Sequence, residues 1–419
     1  MELVKRDNSA KIEVMLGDIL VFLLAFFWFI EIKIVGRLFL LELVYLVIAV
    51  FFILTSVRLS LSPFLKKVLV LLAIWLVALM FSDWYRGTAF TNYARGWAKI
   101  FFFGINIFVI YQLCRNNPRR LFIYLLGLAL GGIVKPSFFP EPNFVAIQGF
   151  WKTGYGFPVT TLALLVASFL GVNFLAVAFG LALLNLGLGY RSNALCCLVG
   201  ALFYILSRGL DWKKLRQPAA FLRKGMAVVL IVGAFFYYYY DIGVFRSTTI
   251  NVGQYELEGV AKNPLYGRLD FLVGLMAVWD SPLIGRGSWA GDPRFVTLLE
   301  QLYEAVGRED FYEEGTAETQ IAGHSYLLGA WVEAGILGPL IWFFLFFQTL
   351  KGMIYLFKFR IQPVGLLAFL LSWFLWNILF SPLGAGERIT AAFFTVLLNW
   401  VLTMGQKTGD EGLESPQGY

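Results

Sequence analysis

At 419 residues the chain is long enough for two or three soluble domains, yet it is 59% apolar, 18% aromatic and only 15% charged, where globular chains average about half apolar and a quarter charged. With 42 Phe, 19 Tyr and 13 Trp there is too little polar surface to wrap such a core in water, which excludes a soluble enzyme, a disordered chain and a secreted disulfide scaffold. The net charge of +7 is no nucleic-acid signature, because the Lys and Arg fall in short stretches between apolar runs, as in a polytopic membrane protein.

A helix crosses a bilayer with about 20 apolar residues, and hydropathy predicts twelve such spans. They start near Val14, Leu38, Leu65, Ala98, Leu121, Phe157, Val172, Asn193, Met226, His324, Val364 and Ile389, those at Leu121 and Met226 being short. The expected fold is all-α. Spans 1–9 fall within residues 1–240, an extracytoplasmic cap in 241–323, spans 10–12 in 324–404, and a cytoplasmic tail in 405–419. Lys5, Arg6 and Lys11 precede the first span without a small-residue cleavage site after it, so no cleavable leader is expected.

Both termini are expected in the cytoplasm. Nineteen of the 34 Lys and Arg then lie inside, including the cluster from Arg208 to Lys224. Lysine follows the rule with ten inside and five outside; arginine opposes it with nine and ten. The outside arginines are Arg37, Arg86, Arg95, Arg191, Arg246, Arg268, Arg286, Arg294, Arg308 and Arg388. A guanidinium fork matches phosphate oxygens and stays charged, so phosphate recognition is one reason for them. Pairing with outside carboxylates is the other.

Cys114 falls at an expected cytoplasmic helix end and Cys196 and Cys197 in an apolar run, so no disulfide is implied. A single histidine, His324, excludes a multi-histidine metal site. No metal and no cofactor are expected. Asp-x-Asp is absent and the first outside loop offers only Glu31; Glu256 and Glu258 keep a weak cation site open beside the reading of a solvated acidic loop.

The 83 residues from Asp241 to Gly323 hold six basic and thirteen acidic side chains. Within them Arg268 to Asp280 predicts a short amphipathic helix, ended by Pro282 and the glycines Gly285 and Gly287. A smaller outside loop, about Lys135 to Gly156, is rich in Pro, Phe and Gly. Where the cap meets the tenth span the sequence reads His324-Ser325-Tyr326-Leu327-Leu328, then Glu333, Gly335, Ile336 and Gly338. On one continuous helix Gly335 and Gly338 share the face of His324, giving a closely packable stripe. Glu333 lies opposite and about 13 Å deeper, better placed to pair with another helix.

The pattern H-[N/S]-x-x-L-x4-E-x-G-[I/L]-x-G resembles the signature of the bacterial O-antigen ligase and polymerase family. So does Arg268 followed by Asp280-Ser281-Pro282-Leu283-Ile284-Gly285-Arg286-Gly287. Tyr190-Arg191-Ser192-Asn193 is similar to the family's Ser-Arg motif but has Tyr190 before the arginine. The resemblance covers motifs between Tyr190 and Gly338 and the span count. It implies a multi-spanning inner-membrane glycosyltransferase with its site facing the periplasm. The donor would be a glycan on undecaprenyl diphosphate, and the acceptor lipid A-core for a ligase or another lipid-linked glycan for a polymerase. In that chemistry His324 is the general base for the acceptor hydroxyl. Arg191 and Arg268, with Arg286 or Arg388, stabilise the diphosphate leaving group. Glu333, Gly335 and Gly338 are structural, and Asp83, Arg86 and Arg95 are read as lining the same cavity. A histidine that only caps a helix is the structural alternative. From other classes stand a flippase or exporter of the same lipids, which would place polar residues at mid-membrane in two matching halves, and a peptidoglycan-type polymerase, which the motif does not support.

Overall fold

The computed structural model describes residues 2–33, 36–55, 60–139, 151–209, 269–305, 320–321 and 323–410. Among these the chain forms fourteen α-helices and one two-stranded hairpin. Helix α1 (Glu2–Phe26) leads through a 3-10 turn to β1 (Glu31–Lys33) and β2 (Arg37–Phe39), antiparallel with Ile32 opposite Leu38. Next come α2 (Leu40–Leu54), α3 (Pro63–Arg86), α4 (Phe90–Cys114), α5 (Arg119–Phe138), α6 (Gly156–Phe169), α7 (Phe174–Gly187) and α8 (Arg191–Gly209). The cap contributes α9 (Leu269–Asp280) and α10 (Pro293–Ala305), followed by α11 (Tyr326–Ala334), α12 (Leu340–Phe359), α13 (Val364–Phe380) and α14 (Ala385–Asp410).

Five of these helices, α3, α4, α5, α12 and α14, are long and apolar enough to cross a membrane. The shorter α2, α7 and α13 are also apolar. The chain is thus an all-α, membrane-embedded protein. Of the twelve expected spans, the one from Met226 lies outside the described residues. Those from Phe157 and Val172 are 14-residue helices, the second capped by the Asn173 side chain, which accepts from the amides of Leu175 and Ala176.

The stretch from His324 corrects the hydropathy reading most. It is apolar throughout, but the backbone breaks. Helix α11 stops at Ala334, Gly335 adopts φ +67°, a 3-10 turn covers Gly335–Leu337, and the full-length span α12 starts only at Leu340. Pro339 favours the break, because it has no amide to donate and its ring would crowd the carbonyl four residues back in a continuous helix. Gly335 and Gly338 therefore form no helical stripe. Local capping elsewhere follows the sequence: Ser62 accepts from the Leu65 amide with Pro63 at the first position of α3, and Gly87 closes that helix in the left-handed region.

Helix α13 is buried from Val364 to Leu371 and packs on α8 and α12, while α14 packs on α4 and α12. The outer helices carry the opposite signature. On α12, Phe343, Phe347, Leu350 and Ile354 face outward at helical spacing, and α3 does the same with Val70, Val77 and Phe81. Such apolar stripes are untenable in water and match hydrocarbon.

Candidate functional site

Two helices of the cap, α9 and α10, meet at His324. Its Nδ1 lies 3.7 Å from Asp270 Oδ2, in the first turn of α9, and the imidazole is 53% exposed. The Tyr303 hydroxyl on α10 donates to the same carboxylate oxygen at 3.1 Å. Below the histidine, Ser325 caps α11 by accepting from the Leu328 amide, and its hydroxyl donates to the carbonyl of Ile378 on α13. The imidazole is thus fixed at its base, backed by a carboxylate on the Nδ1 side and open elsewhere. A carboxylate on that side can orient the ring so that Nε2 faces the open side. At 3.7 Å the contact is longer than a hydrogen bond.

Arg191 opens α8. Two residues on, the fully buried Asn193 donates to Thr160 and to Asn185 Oδ1, which also accepts from the Trp151 indole, so the first turn of α8 is tied to α6 and α7. The half-buried Arg191 side chain makes no hydrogen bond or ion pair with any described residue. Its neighbour Tyr190 packs edge-on against Trp373 of α13, five residues before the Ile378 that Ser325 bonds. At 1.5 Å per residue these two anchor points differ by about 7 Å along α13. Arg191 and His324 therefore sit at the same end of the bundle. Arg268, immediately before α9, lies outside the described residues, as do Glu256 and Glu258.

The other arginines named from the sequence hold the structure together. Arg388 is buried and forked onto Glu42, with Nε to Oε1 at 3.0 Å and Nη2 to Oε2 at 2.7 Å. Arg286 pairs with Asp280 and, at 2.5 Å, with Asp292, and covers the ring of Phe295. Both forks are committed to carboxylates, so neither is assigned to the diphosphate. The Arg294 side chain bonds Asp292 as well, and this bond, with both arginine charges, holds the Asp292 carboxyl down at about 2 despite its partial burial.

Asp83, Arg86 and Arg95, expected to line a cavity, instead grip the turn after α9. Asp83 is buried and accepts from the Ser288 amide and hydroxyl and from the Trp97 indole. Arg86 donates to the Gly285 carbonyl at 3.0 Å and to Ser281 Oγ at 2.6 Å, and Arg95 lies over the Trp289 ring. From the far side the turn meets the break after α11: the amides of Arg286 and Gly287 donate to the carbonyls of Val332 and Glu333, and the Ile336 amide donates to Leu283. Gly285 and Gly335 lie back to back, and a Cβ on either would sit well inside contact distance of the other strand's backbone. Glu333 pairs with Lys99 of α4 at 2.5 Å.

Sequence reasoning missed Asp270 and Tyr303. Asp270 is one acid among thirteen in the cap, and Tyr303 lies 33 residues from it; only the fold joins them. Compared with family models, curated proteins and solved structures, the chain matches none.

Proposed function

We propose that the protein is a bacterial inner-membrane glycosyltransferase of the O-antigen ligase type. It would transfer a glycan from an undecaprenyl-diphosphate-linked donor to an acceptor sugar hydroxyl of lipid A-core on the periplasmic face, without metal or cofactor. The reading is carried by one observation: a solitary, half-exposed imidazole backed by Asp270 opens at the same end of the bundle as an arginine that no carboxylate among the described residues neutralises. His324 takes the proton of the attacking hydroxyl. Arg191, with Arg268, meets the charge that develops on the departing diphosphate. In this reading the chain has twelve spans with both termini in the cytoplasm, and residues 241–323 form a periplasmic cap.

A polymerase that extends lipid-linked repeats would use the same groups with another acceptor; the single dominant outside loop favours the ligase. A strain lacking the protein separates them. Loss of long chains from lipid A-core with accumulation of lipid-linked polymer supports the ligase, and single-repeat products support the polymerase. Glycan transfer that survives His324→Ala, with movement of lipid-linked sugar across the bilayer lost, would replace both with a flippase.

A further inference from the structure

The two described helices of the cap present opposite chemistries to their surroundings. On α10, Phe295, Leu299 and Tyr303 point inward, and the exposed face carries Arg294, Thr297, Gln301 and Glu304, as expected of a helix lying between a protein core and water. On α9, Leu269, Val273, Ala277 and Val278 are buried, but the exposed face is apolar too, with Leu275, Met276 and Trp279, the last 88% exposed. Leu283, in the turn that follows, is 68% exposed. A helix apolar on both faces has no place in water.

What covers that face follows from where it sits. The Pro282 carbonyl accepts from the Trp331 indole, whose ring packs on Phe343, the first residue of the outward stripe of α12. Leu283 shares a backbone bond with Ile336, itself exposed at the top of that stripe. On the other side Arg86 ties Ser281 to the C-terminal end of α3, where Phe81, Trp84 and Tyr85 are exposed and Phe81 packs against both of the others. Trp and Tyr concentrate at the level of lipid headgroups. Trp279 and Leu283 thus continue the lipid-facing stripes of two spans at the height of an aromatic belt.

We propose that the outer face of α9 and the turn after it rest in the hydrocarbon–headgroup boundary of the bilayer, docked on lipid, while α10 is the part of the cap that faces water. This rests on the membrane-embedded fold and not on the glycosyl-transfer reading. It bears on that reading through distance alone: Asp270, beside His324, lies nine residues before Trp279 on α9, about 14 Å along the helix.

The test uses the full chain in lipid nanodiscs. Spin labels are placed at Leu275→Cys, Trp279→Cys and Leu283→Cys, and at Thr297→Cys and Gln301→Cys for comparison; the native cysteines are buried, and labelling of the unsubstituted chain sets the background. Power saturation should show oxygen relaxing the first three labels more than a water-soluble nickel chelate does, with the order reversed at the last two. Nickel-dominated relaxation at 275, 279 and 283 would overturn the proposal. Should the cysteine variants fail to fold, quenching by lipids brominated near the headgroup serves instead. Trp279→Phe should lose part of the quenchable fluorescence, and equal quenched amplitude in both proteins would overturn it.

Discussion

Gly335→Ala tests whether the break after α11 organises the site end of the molecule. Gly335 has φ +67° and ψ −161°, a region open essentially to glycine alone, which costs any other residue about 1–3 kcal/mol. The added Cβ would also strike the Leu283 carbonyl, so the 281–288 turn must move. That puts at risk the bonds from the Arg286 and Gly287 amides to Val332 and Glu333, each worth about 0.5–1.5 kcal/mol. The sum is a destabilisation of about 2–6 kcal/mol. Gly180→Ala on α7 is the control: nothing lies within 4 Å of its Cβ position, and alanine in a helix should gain about 0.5–1 kcal/mol. Heating the solubilised proteins and measuring the surviving monodisperse fraction by fluorescence-detected size exclusion should put Gly335→Ala several degrees below the parent and Gly180→Ala at or above it. Equal melting of the two variants would refute the packing argument.

Removing the imidazole with His324→Ala should lower glycan transfer by about 10²–10⁴-fold, the usual range for a general base, with melting unchanged. Asp270→Asn should lower kcat by roughly tenfold at constant KM, since it touches the histidine and not the substrate. Arg191→Ala should weaken transfer by about 10- to 100-fold, as expected for losing a charge-assisted hydrogen bond of about 1.5–3 kcal/mol, and leave melting unchanged because no described residue depends on it. By contrast Arg388→Ala leaves the buried Glu42 without its cation and should cost about 3–5 kcal/mol, recovered only in part by Arg388→Met with Glu42→Leu, which takes the acceptor from Asn106 Nδ2 and the Phe39 amide. In acid, Asp292 sets a defined window. Its folded carboxyl is depressed to about 2 from an ordinary 3.8, so its stabilisation is complete above about pH 4 and is lost as pH falls towards 2. Asp292→Asn should therefore melt below the parent at neutral pH, and the gap should close between about pH 4 and 2.

Composition and hydropathy made the all-α membrane fold legible, and capping chemistry located helix ends: the helix expected over Arg268 to Asp280 is α9 (Leu269–Asp280). Span lengths were less legible, because an apolar run reports burial and not backbone continuity. The run from His324 onward carries both Gly335 and Pro339, and these could have signalled the break. The motif residues themselves split by role. Ser281 to Gly287 and Glu333 to Gly338 lie 46 or more residues apart in sequence and lock together through backbone bonds and facing glycines. Spacing alone carries no sign of that contact. Asp270 was invisible for the same reason, since one carboxylate in an acidic loop looks like any other.

That arginine, unlike lysine, does not avoid the segments expected outside has a physical explanation that bears on the site. Of the ten arginines expected outside, Arg86 and Arg95 grip the turn after α9, Arg286 and Arg294 share Asp292, and Arg388 neutralises Glu42. Each uses what lysine lacks, a planar fork that binds two acceptors or lies flat on a ring, and each is consumed by architecture. A diphosphate adds about two to three negative charges that must be met by cations not already satisfied, because a guanidinium saturated by a carboxylate offers little net field. Among the described residues Arg191 meets that condition, at the start of a helix whose dipole points the same way. If Arg191→Ala binds a lipid-linked diphosphate as tightly as the parent while Arg286→Ala does not, the field argument fails and the donor lies over the cap instead.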